Sequence, residues 1–81
     1  MSLYDLGPLS DQQILARLAG RLRSERLQRN ITQQALADLA GVGVATLRRF
    51  ESGEGNLSLL NLIALLRALE LMNLLDALVR E

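Results

Sequence analysis

Residues 33–52 read QQALADLAGVGVATLRRFES, and they decide the fold because they have the pattern of two short helices joined by a tight turn. Thr32 is a good N-cap for the first helix. That helix has an apolar inward face at helical spacing, made of Leu36, Ala37, Leu39 and Ala40. Gly41 interrupts the spacing, and glycine adopts positive φ without steric cost, so it can end the helix and reverse the chain.

The second helix of this stretch begins near Val44 and resumes the helical period, with Leu47 and Phe50 inward. The residues expected to face outward are Val44, Ala45, Arg48 and Arg49. Val42 would fill the angle between the two helices, and Ala37 is small where they must approach closely. A helix-turn-helix requires these features: a small residue in its first helix, glycine in the turn and apolar residues on both sides.

Upstream of this stretch, the sequence predicts one long helix behind a loose arm. A Gly-Pro pair breaks any helix, so residues 1–9 are expected to form a flexible N-terminal arm. Ser10 and Gln13 have the spacing of a capping box, from which helix 1 is expected to run to about Gln28. Its predicted buried stripe contains Ile14, Leu15, Leu18, Ala19, Leu22 and Leu27.

Downstream, the sequence predicts two further helices. Ser58 is placed to cap a fourth helix that continues to about Leu69, and residues 72–79 predict a short fifth helix. No stretch has the alternation of a strand. The chain is therefore predicted to be an all-α, five-helix domain over residues 10–81, with the helix-turn-helix at helices 2 and 3.

Helices 4 and 5 contain more leucine than one buried face needs. On helix 4 the apolar residues occupy nearly the whole circumference, and a helix that is apolar all round must be covered all round. A domain of 81 residues cannot provide that cover alone. We therefore expect a homodimer built from these helices, with candidate interface residues Leu62, Leu66, Leu69, Leu74 and Leu78.

The composition excludes several classes of function. The chain has no cysteine and no histidine, which removes disulfides, thiolate chemistry, imidazole bases and the usual zinc ligands. Its acidic residues are scattered, without a spacing that places two carboxylates beside a nucleophile. No apolar run is long enough to cross a bilayer. We therefore expect a cytoplasmic protein that is not an enzyme and that uses no cofactor, metal, small-molecule ligand or membrane.

The charge is zero in total but unevenly distributed. Residues 17–49 hold seven arginines against two acidic residues, whereas residues 50–81 hold two arginines against five acidic residues. A local positive field can attract DNA even when the whole protein is neutral. All nine basic residues are arginine, which suits bidentate contacts to phosphate and guanine better than lysine does.

The chain resembles the XRE family of helix-turn-helix regulators, which are similar to the Cro protein and to phage repressors. The residues that carry the resemblance are Thr32, Gln33, Leu36, Ala37, Ala40, Gly41, Val42, Leu47, Phe50, Glu51 and Gly53. The resemblance extends upstream through residues 22–26 and downstream through residues 59–69. It implies a phage-repressor-like fold and double-stranded DNA as a partner.

Helix 3 is accordingly expected to lie in the major groove. The candidate base-reading residues are Val44, Ala45, Thr46, Arg48 and Arg49, and the resemblance implies base contacts at Val44, Ala45 and Arg49. Apolar side chains at Val44 and Ala45 favour thymine methyl groups, whereas relatives often carry polar residues at these positions. The alternative is a basic helix face that is only solvated.

Candidate phosphate contacts are Arg23, Thr32 and Gln33. The N-terminus of helix 2 offers free N–H groups and the positive end of the helix dipole, and Gln33 matches a family phosphate contact. Thr32 can also act as an N-cap alone. Arg26 and Glu51 match a family ion pair that ties helix 1 to the end of helix 3, which is a structural role.

The sequence thus predicts a dimeric DNA-binding transcriptional regulator, a repressor that occupies an inverted-repeat operator on the nucleoid. Two alternatives use the apolar C-terminal helices instead. In one, the chain is a protein-interaction module whose helix-turn-helix is a scaffold. In the other, it is an antitoxin that neutralises a toxin protein, because residues 53–58 and the leucine-rich tail resemble antitoxins paired with HipA-like kinase toxins.

Overall fold

The computed structural model describes residues 5–80, and every regular element within that range is helical. The helices are α1 (Asp11–Gln28), α2 (Gln33–Ala40), α3 (Val44–Glu51), α4 (Leu59–Ala68) and α5 (Asp76–Val79), with a 3-10 turn, Met72–Leu75, directly before α5. The predicted all-α, five-helix fold is confirmed, with the helix-turn-helix at α2 and α3. Residues 1–4 of the predicted arm and Glu81 lie outside the described range.

Side-chain caps fix the start of three helices. At α1, the Ser10 hydroxyl accepts from the Gln13 N–H at 3.1 Å and the Gln13 side chain accepts from the Ser10 N–H at 2.8 Å, which completes a capping box. Thr32 and Ser58 each accept from the backbone N–H three residues later, at the starts of α2 and α4. Such a cap typically contributes about 1 kcal/mol.

The turn between α2 and α3 depends on glycine. Gly41 has φ 70° and ψ 30°, the left-handed conformation that a side chain disfavours. The chain then reverses so that the Val42 N–H donates to the Ala37 carbonyl at 3.0 Å, and the Val42 side chain is buried. The turn therefore sets α3 against α2 at a fixed angle.

The core lies where the first four helices meet, because α2 packs against both α3 and α4 while α1 packs against α3. Six of its side chains are almost completely shielded from solvent: Leu22, Leu36, Leu47, Phe50, Leu65 and Leu69. Burial of each side chain of this size contributes about 1.5–3 kcal/mol. This packing holds α3 with its opposite face towards solvent.

Two leucines predicted to face the core are exposed instead. Leu39 is 69% exposed, because the buried face of α2 is centred on Leu36 and Ala37 and position 39 lies at its edge. Leu27 is 45% exposed, because the last turn of α1 turns Arg26 inward rather than its neighbour. Both predictions were wrong for the same reason: spacing alone does not show where the buried face of a helix ends.

The C-terminal segment, residues 70–80, is less regular than predicted. Glu70 has φ 60°, which ends α4 and reverses the chain, and the Leu71 N–H donates to the Leu66 carbonyl at 2.7 Å. The predicted single helix over residues 72–79 is a 3-10 turn followed by one α-helical turn, neither with a side-chain cap. Short helical pieces of this kind depend on packing for their stability.

Candidate nucleic-acid interface

The outer face of α3 is the candidate surface for DNA. Ala45, Arg48 and Arg49 are exposed there, and Thr46 is half-buried. Val44 was predicted to face outward, but it is half-buried and packs against the core. The reason is that Val44 lies three residues before the buried Leu47 and so shares its side of the helix. The exposed face of α3 therefore consists mainly of an alanine and two arginines.

The loop after α3 folds back onto the end of this helix. The Arg49 carbonyl accepts three hydrogen bonds: from the Glu54 N–H at 3.0 Å, from the Gly55 N–H at 3.1 Å and from the Ser52 hydroxyl at 2.9 Å. Carbonyl groups at a helix end need such partners because the helix itself supplies none. The loop is consequently fixed beside Arg49.

A buried ion pair joins α1 to the end of α3. The Arg26 guanidinium donates to both carboxylate oxygens of Glu51, with Nε–Oε2 at 2.8 Å and Nη2–Oε1 at 2.9 Å. Its Nη1 also donates to the Ile31 carbonyl at 2.8 Å. The two side chains are only 8% and 2% exposed. This is the bidentate geometry in which arginine binds carboxylate most strongly.

Gln33, the first residue of α2, belongs to the same network. Its side-chain N–H donates to Glu51 Oε1 at 3.0 Å. Burial alone would raise the pKa of the Glu51 carboxyl, but hydrogen bonds from Arg26 and Gln33, with the positive charge of Arg23 nearby, hold that pKa below its ordinary value. The carboxylate therefore stays ionised and holds three helices together.

The candidate phosphate contacts lie around this network. Arg23 is exposed on α1 and close enough to Glu51 to affect its pKa. Thr32 is exposed and its hydroxyl caps α2 through the Ala35 N–H. Gln33 is half-buried, with one amide N–H directed at Glu51 rather than at solvent. The fold thus places candidates from α1 and α2 near the C-terminal end of α3.

The predicted dimer residues do not form one surface. Leu66 and Leu69 are 3% and 0% exposed, so they belong to the core of this chain and the prediction that they face a partner was wrong. Leu62 is half-buried and also packs against that core. Leu74 and Leu78 are exposed, at 43% and 82%. The position of Leu66 on the buried face of α4 and that of Leu69 directly after this helix explain the error.

The sequence predicted uncovered apolar surface on α4 but did not identify the residues that form it. Leu59 and Leu60 are 77% and 79% exposed at the start of this helix. Ile63 follows them at the i, i+3 and i, i+4 spacings, so the three lie on one side. An open groove of about 550 Å³ continues from Ile63 to the C-terminal segment, lined by Ile63, Met72, Asn73, Leu75, Asp76 and Val79. The groove is predominantly apolar.

Two other kinds of site have no basis in the part of the chain that the structure describes. Residues 5–80 contain no group of three or more side chains that could ligate a metal ion. None of the helices in that range combines the length and the apolar character needed to cross a membrane. The exposed face of α3 and the apolar surface of α4 are therefore the two candidate binding surfaces.

The sequence profile of the HTH_3 family, described as helix-turn-helix, matches residues 22–71. The match covers more than half of the chain, from the middle of α1 through the end of α4. It contains the complete helix-turn-helix, the Arg26–Glu51 ion pair and the loop that follows α3. A search of curated proteins finds no match to the chain.

Proposed function

Because the chain belongs to the HTH_3 helix-turn-helix family, a family of DNA-binding regulatory domains, we propose that it is a homodimeric repressor that binds an inverted-repeat operator. The observation that carries the proposal is the outer face of α3, which exposes Arg48 and Arg49 while its other face is fixed in the core. A rigid helix with arginines on its free side suits the major groove, which admits one α-helix.

Base reading is assigned mainly to the arginines. Arg49 follows Ala45 by one turn on the exposed side, so its guanidinium can donate to O6 and N7 of guanine. Arg48 is also exposed and can reach a base or a phosphate. Ala45 offers a methyl group to thymine, while half-buried Val44 and Thr46 contribute at the edge of the contact.

Phosphate binding is assigned to Arg23, Thr32 and Gln33 at the meeting point of α1 and α2. Arg23 supplies charge, and the first backbone N–H groups of α2 point towards an approaching phosphate. The hydrogen bond from Gln33 to Glu51 supports this role indirectly, because it fixes the start of α2 relative to α3. Such contacts set the register of the protein on DNA without reading sequence.

Selection from a randomised DNA library tests the proposal. The wild-type protein should select an inverted repeat with half-sites about one helical turn apart. Arg49→Ala should weaken operator binding by about 1–3 kcal/mol and remove the preference at one base pair per half-site. Arg23→Ala should weaken binding to all sequences alike and lower the salt slope by about one. A wild-type protein that selects no repeat would contradict the assignment.

The dimer is proposed to form through the exposed apolar surface of α4 and the C-terminal segment. Leu74 and Leu78 remain from the set predicted from sequence, and Leu59 and Leu60 are added to it. These side chains are exposed in the single chain, and large exposed apolar patches mark interaction sites. A two-fold dimer also provides the symmetry that an inverted repeat requires.

Light scattering at micromolar concentration should give twice the chain mass of 8.9 kDa. Leu60→Glu should then yield a monomer. Leu39→Glu is the matched control, because Leu39 is similarly exposed but lies on α2. A wild-type monomer, or equal dissociation by both variants, would count against this surface.

The rival function is a protein-interaction module or antitoxin, and the apolar groove beside Ile63 is the observation that favours it. In that case the groove receives a segment of another protein, such as a toxin. The library experiment separates the repressor from the interaction module, since a scaffold helix-turn-helix selects no operator. The repressor proposal places the protein in the cytoplasm on the nucleoid, where its DNA partner is.

A further inference from the structure

We propose that Gly55 is a specificity-determining position that sets the direction of the Arg49 side chain. The inference rests on the proposed role of Arg49 in base reading and assigns a function to the loop after α3. In this view Gly55 provides the surface along which the Arg49 side chain leaves the helix. The residue touches no base itself, so it acts as a positioning residue.

The contact between the two residues is unusually close. A Cβ atom added to Gly55 would lie 3.1 Å from Arg49 Cβ and 3.6 Å from both the Arg49 carbonyl carbon and its Nε. The first distance is tighter than an ordinary van der Waals contact between carbon atoms. A side chain at residue 55 would therefore crowd the first carbon of the Arg49 side chain and contact its Nε.

The loop cannot easily move away to make room. The N–H groups of Glu54 and Gly55 both donate to the Arg49 carbonyl, at 3.0 Å and 3.1 Å, and the Ser52 hydroxyl donates to the same oxygen. Moving the loop by a few tenths of an ångström would lengthen these bonds. Because Arg49 Cβ is fixed to the backbone of α3, a side chain at position 55 must therefore shift the loop or the end of α3, and either shift changes the direction of the Arg49 side chain relative to the loop.

Backbone conformation does not account for this glycine. Gly41 and Gly53 have positive φ, whereas Gly55 does not, so an alanine is compatible with its local backbone. What distinguishes position 55 is its contact with Arg49. Gly20 provides the opposite case, because a Cβ there would meet nothing within 4 Å.

The direction of an arginine matters when it reads guanine. The two N–H groups of the guanidinium must meet O6 and N7 together, so the fork has one productive orientation. A phosphate contact tolerates more variation, because the charge can be placed from several directions. A change at Gly55 should thus alter sequence preference more than general affinity for DNA.

The test compares the wild type, Gly55→Ala, Arg49→Ala and the double variant on the selected operator and on unrelated DNA. Gly55→Ala should weaken operator binding by about tenfold, as expected for a misaligned bidentate contact. It should change the preference at the base pair that Arg49→Ala makes indifferent, and leave binding to unrelated DNA within about twofold. In the Arg49→Ala background it should cause no further loss, because the contact it disturbs is already gone.

Gly20→Ala is the control for a general effect of adding a methyl group, and it should leave the operator preference unchanged. A Gly55→Ala protein with the wild-type preference at that base pair would overturn the proposal. Equal losses from Gly55→Ala in the wild-type and Arg49→Ala backgrounds would also overturn it, since the loop would then act independently of Arg49.

NMR of the free protein separates this inference from the proposed function. The Arg49 Nε–H resonance should shift in Gly55→Ala and stay in place in Gly20→Ala. An unmoved resonance would refute the positioning contact even if DNA binding is sequence-specific. If the resonance moves but the wild type selects no operator, the base-reading function of α3 fails and the specificity role of Gly55 falls with it.

Discussion

The helix-turn-helix region, α1 to α3, and the C-terminal region, α4 with residues 70–80, differ in which side chains they bury. In the first region two charged residues, Arg26 and Glu51, are buried and joined by two hydrogen bonds. In the second region large apolar residues are left in solvent, among them Leu60 and Leu78 at 79% and 82% exposure. The first region thus buries a charged pair, whereas the most exposed large apolar side chains, apart from Leu39 on α2, lie in the second.

The two regions obtain their stability from different sources. Buried charge is tolerated only when a partner is fixed in place, and in the first region that partner is supplied within a single chain. Exposed leucines contribute to stability only when another surface covers them and removes them from water. We therefore expect the first region to be insensitive to protein concentration and the second to respond to it.

One side chain joins the two regions directly. Arg29, in the turn after α1, donates from Nη1 to Glu25 and from Nη2 to the Leu69 carbonyl at 2.8 Å. Leu69 follows the last residue of α4, so this bond satisfies a carbonyl that the helix leaves open. The i, i+4 spacing of Arg21, Glu25 and Arg29 in the sequence indicates only a solvated face and gives no sign of this contact.

The largest effect is expected at the buried ion pair. Arg26→Ala should destabilise the fold by about 3–5 kcal/mol, because it leaves the Glu51 carboxylate buried without a counter-charge. Arg17→Ala, which removes an exposed arginine from the same helix, should change stability by less than about 0.5 kcal/mol. Chemical denaturation measures both. Equal stabilities for the two variants would contradict the stabilising role given to the buried ion pair.

A buried and an exposed leucine of α4 can be compared within the C-terminal region. Leu66→Ala should cost about 2–5 kcal/mol, because it opens a cavity in the core. Leu60→Ala should cost less than about 0.5 kcal/mol at protein concentrations where the chain is monomeric. When denaturation is repeated at several protein concentrations, the effect of Leu60→Ala on stability should increase as the dimer forms. The effect of Leu66→Ala should not change. A large loss at Leu60 in the monomer would mean that α4 is covered by its own chain.

Acid should weaken the first region through Glu51. The folded-state pKa of this carboxyl lies below its ordinary value of 4.5, so its contribution is complete above that pH and is lost as the pH falls through the lower folded value. The loss has the same origin as that caused by Arg26→Ala, because a protonated carboxyl leaves the buried Arg26 guanidinium without a counter-charge. Melting temperatures from neutral pH down to about pH 3 should fall less steeply for Glu51→Gln than for the wild type.

The smallest effect is expected at the link between the regions. Arg29→Ala should cost about 1 kcal/mol, the typical contribution of a hydrogen bond. Arg21→Ala is the control, because Arg21 shares the ion pair with Glu25 but does not contact Leu69. Hydrogen exchange should show faster opening at the end of α4 in the Arg29 variant only. Identical exchange in both would show that the two regions are not coupled there.

Most of the first region was predictable because its determinants are local. Caps at Ser10 and Thr32 and the glycine in the turn act within a few residues of themselves. Spacing also correctly predicted Leu47 and Phe50 as inward. Errors arose at Leu39 and Val44, each at the edge of a helix face, where the neighbouring helix decides whether a side chain is covered.

Capping, periodicity and the order of residues in one stretch were enough to specify the first four helices, the turn at Gly41 and the family. Which leucines of α4 face inward became clear only from the packing of the helices. The residue pattern of a helix that is apolar all round does not show which side is buried. Tertiary structure also decided that Gly55 lies against Arg49, since that contact depends on how the loop after α3 folds back.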